Sequence, residues 1–112
     1  MNWFKVGAVM CFVAVALGAF GAHALRATLE ANQSRATWNT AVLYHFLHGL
    51  ALMVIAQQSA NRGVCYLFLA GIVLFSGSLY ALAATGASWL GPITPLGGLC
   101  FLAGWAWLVF AR

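Results

Sequence analysis

The chain has 112 residues, of which 64% are hydrophobic and only 5% are charged, with a formal net charge of +4. Six charged side chains cannot cover a water-soluble surface, and disorder requires low hydrophobicity, so both of those classes are excluded. The composition therefore predicts an integral membrane protein, with residues 1–112 forming a single transmembrane domain.

The length of the apolar segments sets the number of membrane spans. One spanning helix needs about 20 apolar residues, so four spans use about 80 residues and leave about 32 for loops and ends. The fold class expected is an all-α, four-helix transmembrane bundle. The four predicted spans cover residues 3–25, 38–56, 63–84 and 93–110.

A polar stretch separates the first two spans and contains the only acidic residue of the chain, Glu30. Leu25 and Leu29 are four residues apart, while Arg26 and Glu30 are turned away from them. This pattern predicts a short helix lying at the membrane interface, with a plain loop as the alternative.

The fourth span begins with a local helix-start signal. Thr94 is a favourable N-cap residue, and Pro95 fits the first helical position because it has no N–H to leave unpaired. We therefore expect Thr94 to cap this helix.

Four spans put both termini on one side of the membrane, here called face A, opposite face B. Three of the five basic residues lie near face A, which favours a cytoplasmic face A, with dual insertion as the alternative. Aromatic belts are expected at both faces, with Trp3, Trp105 and Trp107 near face A and Trp38 and Trp89 near face B.

Polar side chains inside the spans concentrate in the half of the bundle next to face B. His45 is expected about 10 Å and His48 about 15 Å below that face, at 1.5 Å per helical residue. Because polar groups are costly inside a membrane, this asymmetry predicts a polar pocket or an interhelical hydrogen-bond network opening towards face B. The candidate residues are His23, Tyr44, His45, His48, Ser76, Ser78, Tyr80 and Thr94.

The histidines allow two interpretations. A spacing of three puts His45 and His48 on one helix face, where they could ligate a metal or a haem, with His23 as a third ligand. The alternative is neutral histidines that hydrogen-bond to Ser76, Ser78, Tyr80 or a backbone carbonyl. The two serines are themselves expected to bond back to their own helix. The sequence requires no cofactor.

Several function classes are excluded or disfavoured. The chain has no aspartate, so neither paired-carboxylate catalysis nor a Ser-His-Asp triad can be built, and we expect a protein that is not an enzyme. The basic residues are scattered rather than clustered, which excludes nucleic acid as a partner. Small four-helix multidrug exporters have a similar outline but need a carboxylate in the first helix. The first span here has no carboxylate, so that mechanism fails unless a histidine replaces it. A small transporter is kept as the third hypothesis.

Four motifs follow one another in a specific order: LGAFGAHAL at 17–25, WNTAVLYHFLHGLAL at 38–52, LFSGSLY at 74–80, and ITPLGG at 93–98 with Gly104-Trp105. Together they resemble the YgdD-like family of small bacterial inner-membrane proteins, which has eukaryotic relatives. The resemblance covers nearly the whole chain and implies four spans and an unassigned biochemical role. The matching positions include every candidate residue of the face-B half.

The leading hypothesis is a small multi-pass protein of the bacterial inner membrane whose polar pocket binds a lipid-like ligand or docks a partner protein. The expected partners are membrane lipids, other membrane proteins or a second copy of the chain. The metal or haem protein and the small transporter are the alternatives.

Overall fold

The computed structural model describes residues 2–58 and 62–110, and these residues are almost entirely helical. The elements in chain order are α1 (Trp3–Ala22), α2 (Arg26–Ala31), α3 (Arg35–Gln57), α4 (Arg62–Gly71), a π-helical segment (Ile72–Ser76), α5 (Gly77–Thr85), a 3₁₀ helix (Ser88–Ile93) and α6 (Thr94–Phe110).

These elements form four continuous helices long and apolar enough to cross a membrane. Within the described residues they are Trp3–Ala22, Arg35–Gln57, Arg62–Thr85 and Ser88–Phe110. The expected all-α, four-helix transmembrane bundle is therefore confirmed. The third span consists of α4, the π-helical segment and α5, and the fourth consists of the 3₁₀ helix and α6.

The connection between the first two spans is the short helix α2 rather than a plain loop. Leu29 turns inward and is 2% exposed, whereas Arg26 and Glu30 form an exposed ion pair with Nε and Oε1 3.3 Å apart. The first span ends at Ala22, three residues earlier than expected, and the second begins at Arg35, three residues earlier than expected.

The start of the fourth span differs from the sequence expectation. Thr94 has helical backbone angles (φ −56°, ψ −46°), so it is not the N-cap that the Thr94-Pro95 pair predicts. The chain is already helical from Ser88, in a 3₁₀ helix that accommodates Pro92. Pro92 and Pro95 have no N–H to donate, so two backbone hydrogen bonds of a regular α-helix through this stretch cannot form.

A π-helical segment, Ile72–Ser76, interrupts the third span. Gly97 of α6 packs directly onto the Phe75 backbone of this segment, and a β-carbon at Gly97 would overlap the Phe75 amide. The wider π turn therefore forms a ridge that the fourth span can approach only through a glycine.

Close helix packing depends on small residues throughout the bundle. Helix α1 packs along α3, where a β-carbon at Gly7 would lie 2.7 Å from the Gly49 carbonyl oxygen. Glycines also make room for large rings in neighbouring helices: Gly104 faces Phe68, and Gly71 faces Phe101. In lipid, where no hydrophobic drive joins helices, such close approach supplies the dispersion contacts that stabilise the bundle.

Large apolar side chains cover the outer surface, as a lipid-facing protein requires. The tryptophan belts are only partly as expected. Trp89 is 70% exposed, but Trp3 and Trp38 are 7% and 4% exposed and belong to the hydrophobic core. Trp38 is buried because its indole N–H donates to the Leu17 carbonyl of α1 (3.0 Å).

Candidate functional site

His45 and Tyr80 form one polar pair at the centre of the face-B half. The His45 Nδ1 and the Tyr80 hydroxyl are 2.8 Å apart, which joins α3 to α5. His45 is 4% exposed, and the Trp38 ring packs against Tyr80 with centroids 4.8 Å apart. The His45 Nε2 is buried without a hydrogen-bond partner among the described residues, although the Met10 backbone of α1 lies beside the ring.

His48 uses both of its ring nitrogens. Nδ1 lies 2.7 Å from the Tyr44 carbonyl, one turn earlier on α3, and Nε2 lies 3.0 Å from the Trp105 indole nitrogen of α6. A carbonyl only accepts and an indole N–H only donates, so His48 is neutral, with its proton on Nδ1. Its ring also stacks on Phe101 at a centroid distance of 3.6 Å.

The occupied nitrogens of His48 bear directly on the metal interpretation. A histidine ligates a metal through a free ring lone pair, and the one lone pair of His48 accepts from Trp105. His23 caps the end of α1 and is exposed, because the chain turns outward into α2 there. Over residues 2–58 and 62–110, no three His, Cys, Asp or Glu side chains gather as a metal site. The three-histidine set is therefore not brought together.

Ser76, Ser78 and Thr94 bind neighbouring helices. Ser76 is fully buried and donates to the Ala41 carbonyl of α3 (2.8 Å), so its hydroxyl bonds across a helix interface and not back to its own helix as expected. Ser78 does bond within its own span, to the Phe75 carbonyl (3.0 Å), and its hydroxyl also lies 2.6 Å from that of Thr94.

Tyr44 takes part in the cluster mainly through its backbone carbonyl. Its side chain is 39% exposed, and its ring packs against Phe75 with centroids 4.9 Å apart. Seven of the eight candidate residues are thus in or beside one set of interhelical contacts, and the eighth, His23, is not. We call these interhelical bonds together the hydrogen-bond network; they are separate pairs and short groups, and several of them end on backbone carbonyls.

Sequence reasoning missed several members of this network. Trp105 was assigned to an interfacial belt, yet its N–H supplies the partner of His48. Ser34 and Asn32 donate to the Ala83 carbonyl at the end of α5, at 2.7 and 3.2 Å. An indole N–H or a hydroxyl that packs between helices needs a hydrogen-bond partner, so the residue type indicated that these side chains form a bond. Which partner each one meets depends on helix rotation, which the sequence does not show.

Two adjoining grooves run along the lipid-facing side of the α1–α3 contact, with volumes of about 310 and 500 Å³. They share Val15 and Phe46, and together we call them the furrow. Asn39 is the one residue with a polar side-chain amide in its lining. The lining comprises Ala8, Cys11, Phe12, Ala14, Val15, Ala16, Gly18, Asn39, Val42, Leu43 and Phe46.

A third groove of about 400 Å³ lies between α3 and α6 and is lined by Ala51, Val54, Ile55, Gln58, Trp105 and Leu108. None of the eight candidate residues lines any of these three grooves. These three grooves therefore offer open space for a ligand beside the hydrogen-bond network.

Most residues of this network lie in the segment that defines the family, and Trp105 lies beyond it. Residues 17–98 match the family described as "Protein of unknown function (DUF423)". The chain belongs to this family. The matched segment runs from the end of α1 to the glycine pair of α6, so it includes all eight candidate residues.

Relatives of this DUF423 member carry the same general description. The chain is 45% identical to the UPF0382 membrane protein YwdK of Bacillus subtilis, over 95% of this chain and 91% of the relative. It is 40% identical to the UPF0382 membrane protein SAB0533 of Staphylococcus aureus, over 95% and 90% of the two chains. No solved structure matches the chain. This is a membrane protein of an uncharacterised family.

Proposed function

We propose that this DUF423 protein is a non-catalytic, lipid-binding protein of the bacterial inner membrane, and that the furrow holds the ligand. The observation that carries the proposal is an open apolar groove beside a polar cluster in which most side-chain polar groups, His45 Nε2 excepted, are already paired. The cluster then has a structural role, since its hydrogen bonds fix the position of α3 relative to the third and fourth spans.

The shape of the furrow suits an acyl chain. Its lining on α1 runs from Ala8 to Gly18, which corresponds to about 15 Å at 1.5 Å per residue. The wall is built of alanine, glycine, valine and phenylalanine, so a hydrocarbon chain gains dispersion contacts along its whole length. The exposed amide of Asn39 then meets the polar end of the ligand, near face B.

Lipid retention tests the proposal. Ala16 is exposed and lines the furrow, so Ala16→Phe fills the groove without burying a new group in the core. We expect protein purified in a mild detergent to retain phospholipid, and Ala16→Phe to lose most of it, as measured by mass spectrometry of extracted lipid. The matched control is Ala103→Phe, another exposed alanine, on α6, that lines none of the three grooves.

Two outcomes would overturn this function. Equal lipid retention by Ala16→Phe and Ala103→Phe would mean that the furrow is not the binding site. If the wild type is a dimer, Ala16→Phe is a monomer and neither retains lipid, the furrow would be the contact surface for a second copy of the chain.

Finer assignments accompany this proposal. The four ordered motifs support a YgdD-like protein, and a bundle of α-helices, in contrast to a β-barrel, supports the bacterial inner membrane. The paired state of His48 favours a lipid-binding protein over a metal or haem protein. Substrate-dependent flux in liposomes remains the test of the transporter alternative.

A further inference from the structure

We infer that the furrow selects a phospholipid with a net negative headgroup, in which Arg35 contacts the headgroup phosphate and Asn39 contacts the ester carbonyls. This inference rests on the proposed function, since it names the class of lipid that the furrow takes. The occupant is an anionic glycerophospholipid with one acyl chain in the furrow and its phosphate near the start of α3.

The order of chemical groups along α3 carries the argument. Phe46, Val42, Asn39 and Arg35 follow one another towards face B at spacings of four, three and four, which keeps them on one side of the helix. This side of α3 therefore changes from apolar to amide within the furrow, and to guanidinium one helical turn beyond its lining, over about 16 Å. An anionic phospholipid presents hydrocarbon, ester and phosphate in the same order.

Asn39 is otherwise hard to explain. It is exposed on the side of α3 that faces lipid, one helical turn inside the start of the span. A polar amide facing lipid at this level is costly unless something hydrogen-bonds to it. The ester carbonyls of a phospholipid lie at that depth, between the headgroup and the hydrocarbon, and can accept its N–H groups.

The charge balance at face B leaves Arg35 available. Glu30 is the only acidic residue of the chain, and it is shared by two arginines. Its Oε1 lies 3.3 Å from the Arg26 Nε but 3.8 Å from the Arg35 Nη1, and the Arg35 side chain is 58% exposed. One carboxylate cannot neutralise two guanidiniums, so the α2–α3 connection at face B keeps a net positive charge. Arg35 therefore keeps N–H groups that can donate hydrogen bonds to a phosphate.

The test compares two phospholipids that carry the same phosphodiester, one with a net negative headgroup and one in which a choline cation offsets the phosphate charge. Phosphatidylglycerol and phosphatidylcholine with identical acyl chains are titrated into delipidated protein, and bound lipid is counted by native mass spectrometry. We expect the wild type to bind phosphatidylglycerol about tenfold more tightly, which is the scale of one charge-assisted contact. Arg35→Gln should abolish that preference, and Glu30→Gln, which releases Arg35, should increase it.

Matched variants separate the possible failures. Arg62→Gln removes the same charge at the opposite face, so an equal loss of preference in Arg35→Gln and Arg62→Gln would overturn the headgroup site in favour of net charge. Asn39→Leu should weaken both lipids alike, because both carry the same esters. Equal affinity of the wild type for the two lipids overturns this inference alone. Failure of Ala16→Phe to reduce binding of either lipid overturns the proposed function with it.

Discussion

The protonation state of His48 is fixed by its two partners and can be measured directly. Its Nδ1 faces the Tyr44 carbonyl and its Nε2 faces the Trp105 N–H. We expect nitrogen-15 NMR of histidine-labelled protein at neutral pH to show His48 as the neutral tautomer with the proton on Nδ1. In Trp105→Phe this strict preference should relax, whereas Trp107→Phe, an exposed tryptophan packed on Gly63, should leave it unchanged. A protonated or Nε2–H His48 in the wild type would contradict the assignment.

Tyr80 provides a second measurement at the scale of one residue. Tyr80→Phe leaves the His45 Nδ1 buried without its partner, which should cost about 1 kcal/mol of unfolding free energy in a membrane protein. The measurement is reversible unfolding in mixed micelles. Tyr44→Phe is the matched control, because Tyr44 contributes its backbone carbonyl and ring to the cluster. Equal losses in the two variants would mean that the His45–Tyr80 bond contributes nothing specific.

At this scale the sequence predicted the residue types of the cluster better than their roles. The rule that polar groups are costly inside a membrane identified six residues whose side chains do contact neighbouring helices: His45, His48, Ser76, Ser78, Tyr80 and Thr94. A backbone carbonyl was among the expected partners of His48, and Tyr44 supplies it, but Trp105 was not predicted as a partner because it lies 57 positions away and its rotation about α6 is not encoded in hydropathy. His23 was included on depth alone, and the outward turn after Ala22 removes it.

At the scale of the element, the π-helical segment and Gly97 depend on each other. A side chain at Gly97 would overlap the Phe75 backbone, so Gly97→Ala should force α6 away and cost about 1–3 kcal/mol of stability. Gly98→Ala is the matched control, because its β-carbon would lie 3.8 Å from the Phe75 ring, which is ordinary contact. Thermal unfolding in detergent compares the two. If Gly98→Ala lowers the stability as much as Gly97→Ala does, contact with the π-helical ridge is not the cause of the loss in Gly97→Ala.

The sequence predicted the helical elements well and their irregularities poorly. Four spans and the interfacial helix follow from apolar length and from the spacing of Leu25 and Leu29, both of which are local signals. The π turn at Ile72–Ser76 follows instead from how the third span meets α3 and α6, since Ser76 bonds to α3 and Phe75 meets Gly97. Thr94 was mistaken for a cap because its hydroxyl has a better partner, Ser78, on another helix.

At the scale of the whole molecule, the lipid site and the orientation in the membrane draw on the same few charges. Four spans put both termini on face A, and Arg35 lies on face B. Positively charged residues near the ends of spans also set orientation, and they favour the cytoplasm. Arg35 therefore opposes the orientation that the basic residues at face A favour. At face B its guanidinium instead binds the lipid phosphate in the adjacent leaflet.

The narrow charge difference yields a final prediction about orientation. The sequence prediction assigns Lys5, Arg62 and Arg112 to face A and Arg26 and Arg35 to face B, so removal of one charge from face A equalises the two. Fusions of a fluorescent protein and of alkaline phosphatase to the C-terminus report which side it occupies. We expect the wild type to show a mainly cytoplasmic C-terminus and Arg62→Gln to show both orientations.

Arg35→Gln is the opposite arm of the same experiment, because it leaves three basic residues against one and should make the cytoplasmic signal more uniform. This arm also separates two consequences of one substitution. In cells the orientation becomes more uniform, whereas in detergent, where orientation has no meaning, only the preference for an anionic lipid is lost. A C-terminus that stays mainly cytoplasmic in Arg62→Gln would show that a determinant other than the balance of basic residues sets the orientation.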